Sequence, residues 1–496
     1  MLVSNVIQRL RQSPRYKWWV GLAISIGILV DVSHFGAVTV VQPFIGNNFD
    51  AGLPAVQWVI VGYMLSVSAL LLPMGRLSDQ VGRKRVYIVG LVIFSVGSVI
   101  SGFADTLVLL IVFRIIQGIG PAMTIGNQMA ILTSVFPLNE RGRAVGLHMT
   151  MVGIGLVIGP TLGGFLSDIF GWRAVFFIYG PLGLISLIPA IWILRDNEVE
   201  RATTGKTGSR LDLVGAVLSA LALVAFLLAM TNGPNFGWSS PFIIVLLVGW
   251  TVIVCVLLFW ELHIPSPMLD LKLFRSQLFS IGVITRSLNM IAWVTPLFLM
   301  PFYLQGVVGY SARDTGLVMT AMVVATAALA PIVGRLSDRF GTRPFTLSGS
   351  ILATMALFLL ANISTTTPII WLVAFLVMHS SSYTLFNVPN STSIFNAVAL
   401  NDHGVIGAFL QLLRNVFVVT GIALATVIVA STMDAHGLRP NLEMGSKAVA
   451  SAESMAFVEG MRNTFLVMGS LQGLAIILLL IRPEPNKSRH GKISDA

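Results

Sequence analysis

The 496-residue chain is 55% hydrophobic and only 10% charged, with a mean hydropathy of +0.85. So few polar side chains cannot cover a molecule of this size in water, which excludes a soluble enzyme or soluble binding domain and leaves a polytopic, all-α membrane protein. A net charge of +10 would suggest a nucleic-acid partner in a soluble domain, but here the bases lie in short segments between apolar runs, where they set orientation. No nucleic-acid partner is expected.

Apolar runs of spanning length lie at about 18–44, 56–74, 86–103, 107–134, 144–166, 174–194, 213–231, 241–260, 279–304, 315–333, 344–362, 369–395, 404–431 and 460–481. They predict 14 transmembrane helices, each needing roughly 20 residues to cross a bilayer core. The first run follows Arg9, Arg11, Arg15 and Lys17 and reaches about 40 Å as a helix, too long for the core of a signal peptide. With both termini placed inside, the inner segments hold 23 of the 31 Lys and Arg residues and the outer segments hold 5. The excess predicts cytoplasmic termini. Cys255, the single cysteine, sits inside a run, so no intramolecular disulfide can form.

The second run ends in Gly75-Arg76-Leu77-Ser78-Asp79-Gln80-Val81-Gly82-Arg83, and the tenth ends in Gly334-Arg335-Leu336-Ser337-Asp338-Arg339-Phe340-Gly341-Thr342-Arg343. A loop signature repeated between apolar runs is the mark of an internally duplicated carrier. Eight runs separate the copies, so two six-helix bundles with two inserted helices are predicted. The expected divisions are an N-terminal bundle over 1–195, a linker and inserted helices over 196–275, a C-terminal bundle over 276–482 and a cytoplasmic tail over 483–496. Gly75 and Gly334 are expected to allow close helix approach, with Asp79 accepting from backbone donors or pairing with Arg83 one turn on. Asp338 takes the corresponding place in the second copy.

Run 4 carries Arg114 and Gln117, and a guanidinium within a span must face a partner or a wet cavity. Run 5 has a ridge of Gly155, Gly159 and Gly163 at four-residue spacing, with Pro160 to bend it. These elements resemble the major facilitator superfamily. Tyr303-Leu304-Gln305-Gly306 in run 9 and Arg414-Asn415 in run 13 look like its fourteen-span drug:proton antiporter branch, and the run 5 ridge is similar to its antiporter motif. The resemblance implies alternating access between two bundles, a role for Arg114 in proton coupling, and export of an amphiphilic small molecule in a bacterial plasma membrane. It implies no cofactor, and the chain is expected to be a monomer.

In that branch run 1 usually holds an aspartate nine residues before a proline; here His34 stands nine before Pro43, with Asp31 three residues earlier. Three-residue spacing keeps Asp31 and His34 on one helix face, either as one titrating pair or as a static hydrogen-bonded pair. Phe35 lies beside them. Ser380, Tyr383, Asn387 and Asn390 in run 12 share a face that lines the substrate path or forms an interhelical seam. Phe298 and Tyr303 in run 9 are candidate cavity wall, with Arg414 an internal partner, whereas Arg286 is expected to snorkel to the inner surface. Only Asp31 opposes the embedded arginines, so neutral or weakly acidic amphiphiles are expected rather than dications. The chain has no phosphate-binding Gly-x-x-x-x-Gly-Lys-Ser/Thr loop, no cluster with metal-ligand spacing and no nucleophile triad, so ATP-driven pumping and enzymatic chemistry are not expected.

Overall fold

The computed structural model describes residues 13, 15–137, 140–194, 213–264, 271–398, 403–438 and 452–482. Long helices dominate them: α1 (Tyr16–Asn48), α2 (Trp58–Val81), α3 (Arg83–Gly102), α4 (Leu107–Val135), α5 (Arg141–Phe170), α6 (Arg173–Ile193), α7 (Leu213–Phe236), α8 (Pro241–His263), α9 (Gln277–Phe302), α10 (Ala312–Phe340), α11 (Thr342–Leu360), α12 (Ile369–Asn396), α13 (His403–Ala435) and α14 (Ala452–Ile481). Among the described residues, thirteen of these are long and apolar enough to cross a membrane; within α7 the apolar stretch is the shorter Val217–Met230. The chain is a multi-pass, all-helical membrane protein. Residues 196–212 of the expected linker and inserted-helix segment, residues 439–451 and the tail over 483–496 lie outside the described residues, as does the side chain of Asp79.

The duplication read from the loop signatures reappears in the packing. In the first half α1 packs on α4, α5 and α6, while α2 packs on α4 and α3 on α4 and α6. In the second half α9 packs on α12, α13 and α14, while α10 packs on α12 and α11 on α12 and α14. Each of these pairs recurs eight helices later. The halves meet chiefly along α5 with α10 and along α2 with α13. Helix α7 packs on both α2 and α13, and α8 on α7.

Both copies of the loop signature end their helix in the same way. Gly82 at φ 107° and Gly341 at φ 92° stop α2 and α10, and their N–H groups donate to Ser78 O (3.0 Å) and Ser337 O (2.9 Å). A left-handed residue at this position favours glycine. A third copy, Gly164-Phe165-Leu166-Ser167-Asp168-Ile169-Phe170-Gly171, ends α5: Gly171 has φ 79° and donates to Ser167 O at 3.0 Å. It lies on the side opposite to the other two, three helices after the first, as an inverted repeat within a half would place it.

The glycines of these signatures differ in what they touch. A Cβ on Gly75 would meet nothing within 4 Å, but one on Gly126 of α4 would stand 3.5 Å from Gly75 Cα, so α4 does approach α2 there; a Cβ on Gly334 would meet only Val388 Cγ1 at 3.9 Å. The third copy makes a closer contact. A Cβ on Gly164 would stand 3.1 Å from the Ala312 carbonyl carbon, and one on Gly316 would stand 3.2 Å from that of Pro160. Thr161 and Thr320 share a hydrogen bond of 2.5 Å beside them, and Gln305 Nε2 donates to Val40 O across the halves at 2.8 Å. At the end holding Gly171 and Ala312 the halves are therefore pressed together. Along α10 the stripe Ala312, Gly316, Met319 and Val323 is buried, but its continuation through Ala327 and Pro331 is exposed, so the seam opens toward the opposite end.

The α5 ridge serves two neighbours. Gly155, Gly159 and Gly163 seat α1, where added Cβ atoms would stand 3.0 Å from Val32 Cβ, 3.0 Å from Ser33 Cα and 2.8 Å from Ala37 Cβ. Pro160 packs instead between Gly36 and Gly316, touching both halves.

Candidate functional site

Nearly all of α9 and most of α1 is buried, so polar side chains half-exposed on these helices open onto the space between the halves rather than onto lipid. Asp31 is such a residue, in the middle of α1. Tyr63 of α2 donates to its Oδ1 at 2.8 Å. Beneath them lies Arg114 of α4, fully buried, its guanidinium carbon 4.2 Å from the centre of the Tyr63 ring. Arg114 Nε donates to Val59 O at 3.0 Å and Nη1 donates to Gln117 Oε1 at 2.6 Å, while Nη2 has no partner. A planar fork held by a backbone carbonyl, an amide and an aromatic face is a rigid cation placed to act on the Asp31 carboxylate. Arg414, half-buried, lies on α13 of the other half, which packs against α2.

His34 does not pair with Asp31. Its ring is fully buried, with neither nitrogen hydrogen-bonded, among Tyr179, Phe94, Phe176 and Tyr63 at centroid distances of 5.1, 5.2, 5.8 and 6.2 Å. Helical spacing put Asp31 and His34 on neighbouring sides of α1, but the small turn between them aims one at Tyr63 and the other into a ring cage. Phe35, half-buried, packs against the main core.

The polar stripe of α12 divides in two. Ser380 is buried and donates to Met322 O at 2.5 Å, and Asn390 is buried and donates to Gly282 O at 2.9 Å while accepting from Arg482 at 3.0 Å. These two form interhelical seams, not cavity wall. Tyr383 and Asn387 are half-exposed. Asn387 Nδ2 donates to the Tyr383 hydroxyl at 2.6 Å, and its Oδ1 accepts from Arg286 Nη1 at 2.6 Å; Ser391 Oγ accepts from the same nitrogen at 2.7 Å. Arg286 therefore turns inward onto α12 rather than snorkelling. The Tyr383 ring stacks on Trp293 of α9, with centroids 4.7 Å apart and planes at 27°.

Phe298 and Tyr303 are buried, and the Tyr303 hydroxyl donates to Ser364 O at 2.7 Å, so both belong to the main apolar core instead of the cavity wall expected of them. Tyr63 and Trp293, which the sequence reading passed over, are central here. Each is an aromatic residue carrying a hydrogen-bonding group, set several residues inside its run and away from the interfacial positions such residues favour. Among the described residues no group of three His, Cys, Asp or Glu could hold a metal ion.

The model of the Major Facilitator Superfamily matches residues 24–260, 207–422 and 282–495. The chain is 30% identical over 421 residues to the riboflavin transporter RibZ of Clostridioides difficile, covering 84% of this chain and 90% of that protein. It is 31% identical over 425 residues to the multidrug resistance protein Stp of Mycobacterium tuberculosis, covering 85% of this chain and 77% of that one. A bacterial homologue of the human lysosomal transporter Spinster, solved inward-facing and occupied, shares the fold with a TM-score of 0.69 at 17% identity over 95% of this chain and 97% of that one. Duplicated helix packing, two opposed halves around an internal polar site and a family match along nearly the whole length agree: this chain is a membrane transporter, not an enzyme, and belongs to the Major Facilitator Superfamily.

Proposed function

We propose that the protein is a proton-coupled antiporter of the fourteen-span drug:proton branch, exporting amphiphilic small molecules by alternating access across a bacterial plasma membrane. In this reading α1–α6 (1–195) and α9–α14 (276–482) rock about the site between them, α7 and α8 (196–275) are inserted, and both termini are cytoplasmic. The observation that carries it is Asp31: the one carboxylate in the middle of a described helix, half-exposed to the space between the halves and held by Tyr63 above the Arg114 guanidinium. An ionisable group so placed has a transport role by default. Asp31 takes and releases the proton, Arg114 orients and opposes its charge, and His34 acts through the packing of α1. The substrate lies against Phe35, Tyr383, Asn387 and Arg414.

Likeness to multidrug resistance proteins supports an exported amphiphile. Likeness to a riboflavin transporter supports a metabolite instead, with proton-coupled import or uniport as the second reading. Proteoliposomes with an imposed pH gradient separate the two. Antiport predicts that a lipophilic dye moves against the proton flow and that Asp31→Asn abolishes this; full gradient-driven exchange by Asp31→Asn would overturn the assignment.

A further inference from the structure

The charges around the central space are uneven. In the first half Asp31 and Arg114 offset one another across Tyr63. In the second half, Arg286 of α9 and Arg414 of α13 lie on helices that pack together, and among the described residues neither forms an ion pair. The acceptors of Arg286, Asn387 Oδ1 and Ser391 Oγ, are neutral, and its Nε is buried without a partner. Two embedded cations with one carboxylate near them are costly unless a further anion arrives. Beside Arg286 lies a flat surface: Asn387 fixes the Tyr383 hydroxyl, and Tyr383 stacks on Trp293, both rings half-buried.

We propose that Arg286 and Arg414, together with the stacked rings of Trp293 and Tyr383, form a subsite for a planar aromatic substrate that bears an anionic group such as a carboxylate. The guanidinium fork matches two carboxylate oxygens, while the ring pair offers an apolar face for the aromatic body. Dications are repelled from this half by the same two charges. The inference rests on the reading of the chain as a carrier of amphiphiles, and it is independent of the direction of proton coupling.

The probes are 2-naphthoate and its neutral counterpart 2-naphthamide, titrated into the purified full-length protein by calorimetry and by quenching of tryptophan fluorescence. The wild type is expected to bind the carboxylate about tenfold more tightly than the amide, from one charge-assisted contact. Arg286→Gln and Arg414→Gln are each expected to remove that preference while leaving amide affinity within about twofold. Asn387→Asp places a carboxylate against Arg286 and should remove it as well, whereas Trp293→Leu should weaken both probes. Size-exclusion profiles and amide binding report whether each variant is folded. Equal affinity for the two probes in the wild type overturns the subsite, and so does a preference that survives Arg286→Gln or an absence of saturable binding by either probe. Those results leave the carrier reading standing if a dye is still exchanged against protons. Conversely, a carboxylate preference without any gradient-driven flux removes the coupling and keeps the subsite.

Discussion

Arg114 shows how one side chain can be specified by its surroundings. Its Nε, its Nη1 and its flat face are each engaged by a different group: Val59 O, Gln117 and the Tyr63 ring. A lysine can satisfy one of these but not all three. Arg114→Lys is expected to lower gradient-driven flux at least tenfold with the protein still folded, as measured in proteoliposomes beside a thermal-unfolding control; near wild-type flux would make the fork irrelevant. Arg114→Ala leaves Val59 O and Gln117 Oε1 without their donor and should cost about 1–3 kcal/mol in the same unfolding assay. Sequence spacing made Arg114, Asp31 and Gln117 legible as embedded polar residues. It could not reveal that Tyr63, 32 residues from Asp31 and in another helix, completes the group, because that contact is set by how α1 and α2 are rotated. For the same reason His34 looked like a partner of Asp31 and proved to be ring-packed.

At the scale of the helix, glycine spacing was informative about function only where a neighbour approaches. The four-residue ridge of α5 was legible as a packing surface, and it does seat α1. Gly159→Ala should cost about 1–3 kcal/mol, because the new methyl meets Ser33 backbone that cannot rotate away. Gly75→Ala has open space in this conformation and should change stability by no more than about 0.5 kcal/mol. Thermal unfolding in detergent compares the two, and equal losses would show that the ridge is not what holds α1. The α2 signature meets α4 through Gly75, opposite Gly126, and both the α2 and α10 signatures also act as helix stops through Gly82 and Gly341. The copy at the end of α5 is less legible because Phe165 and Trp172 stand where the first copy has Arg76 and Arg83, with only Arg173 keeping a basic position, although its backbone turn is the same.

For the whole molecule, the eight-helix offset of the duplication was legible from the two loop signatures, whereas the state of the gate between the halves was not, since both states use the same residues. The gate can be tested directly. With Cys255 replaced by Ser, a Thr161→Cys, Thr320→Cys pair stands where the native hydroxyls are 2.5 Å apart, close enough for a disulfide. Oxidation is expected to arrest flux and reductant to restore it; continued turnover of the crosslinked protein would mean that this seam need not part. The placement of α7 has its own consequence. By packing on both α2 and α13 it covers that flank of the seam, while among the described residues no such bridging helix lies across α5 and α10. Cargo dissolved in the bilayer is therefore expected to enter sideways between α5 and α10, and a photoreactive lipophile should label exposed Val324 and Ala327 of α10 in preference to α2.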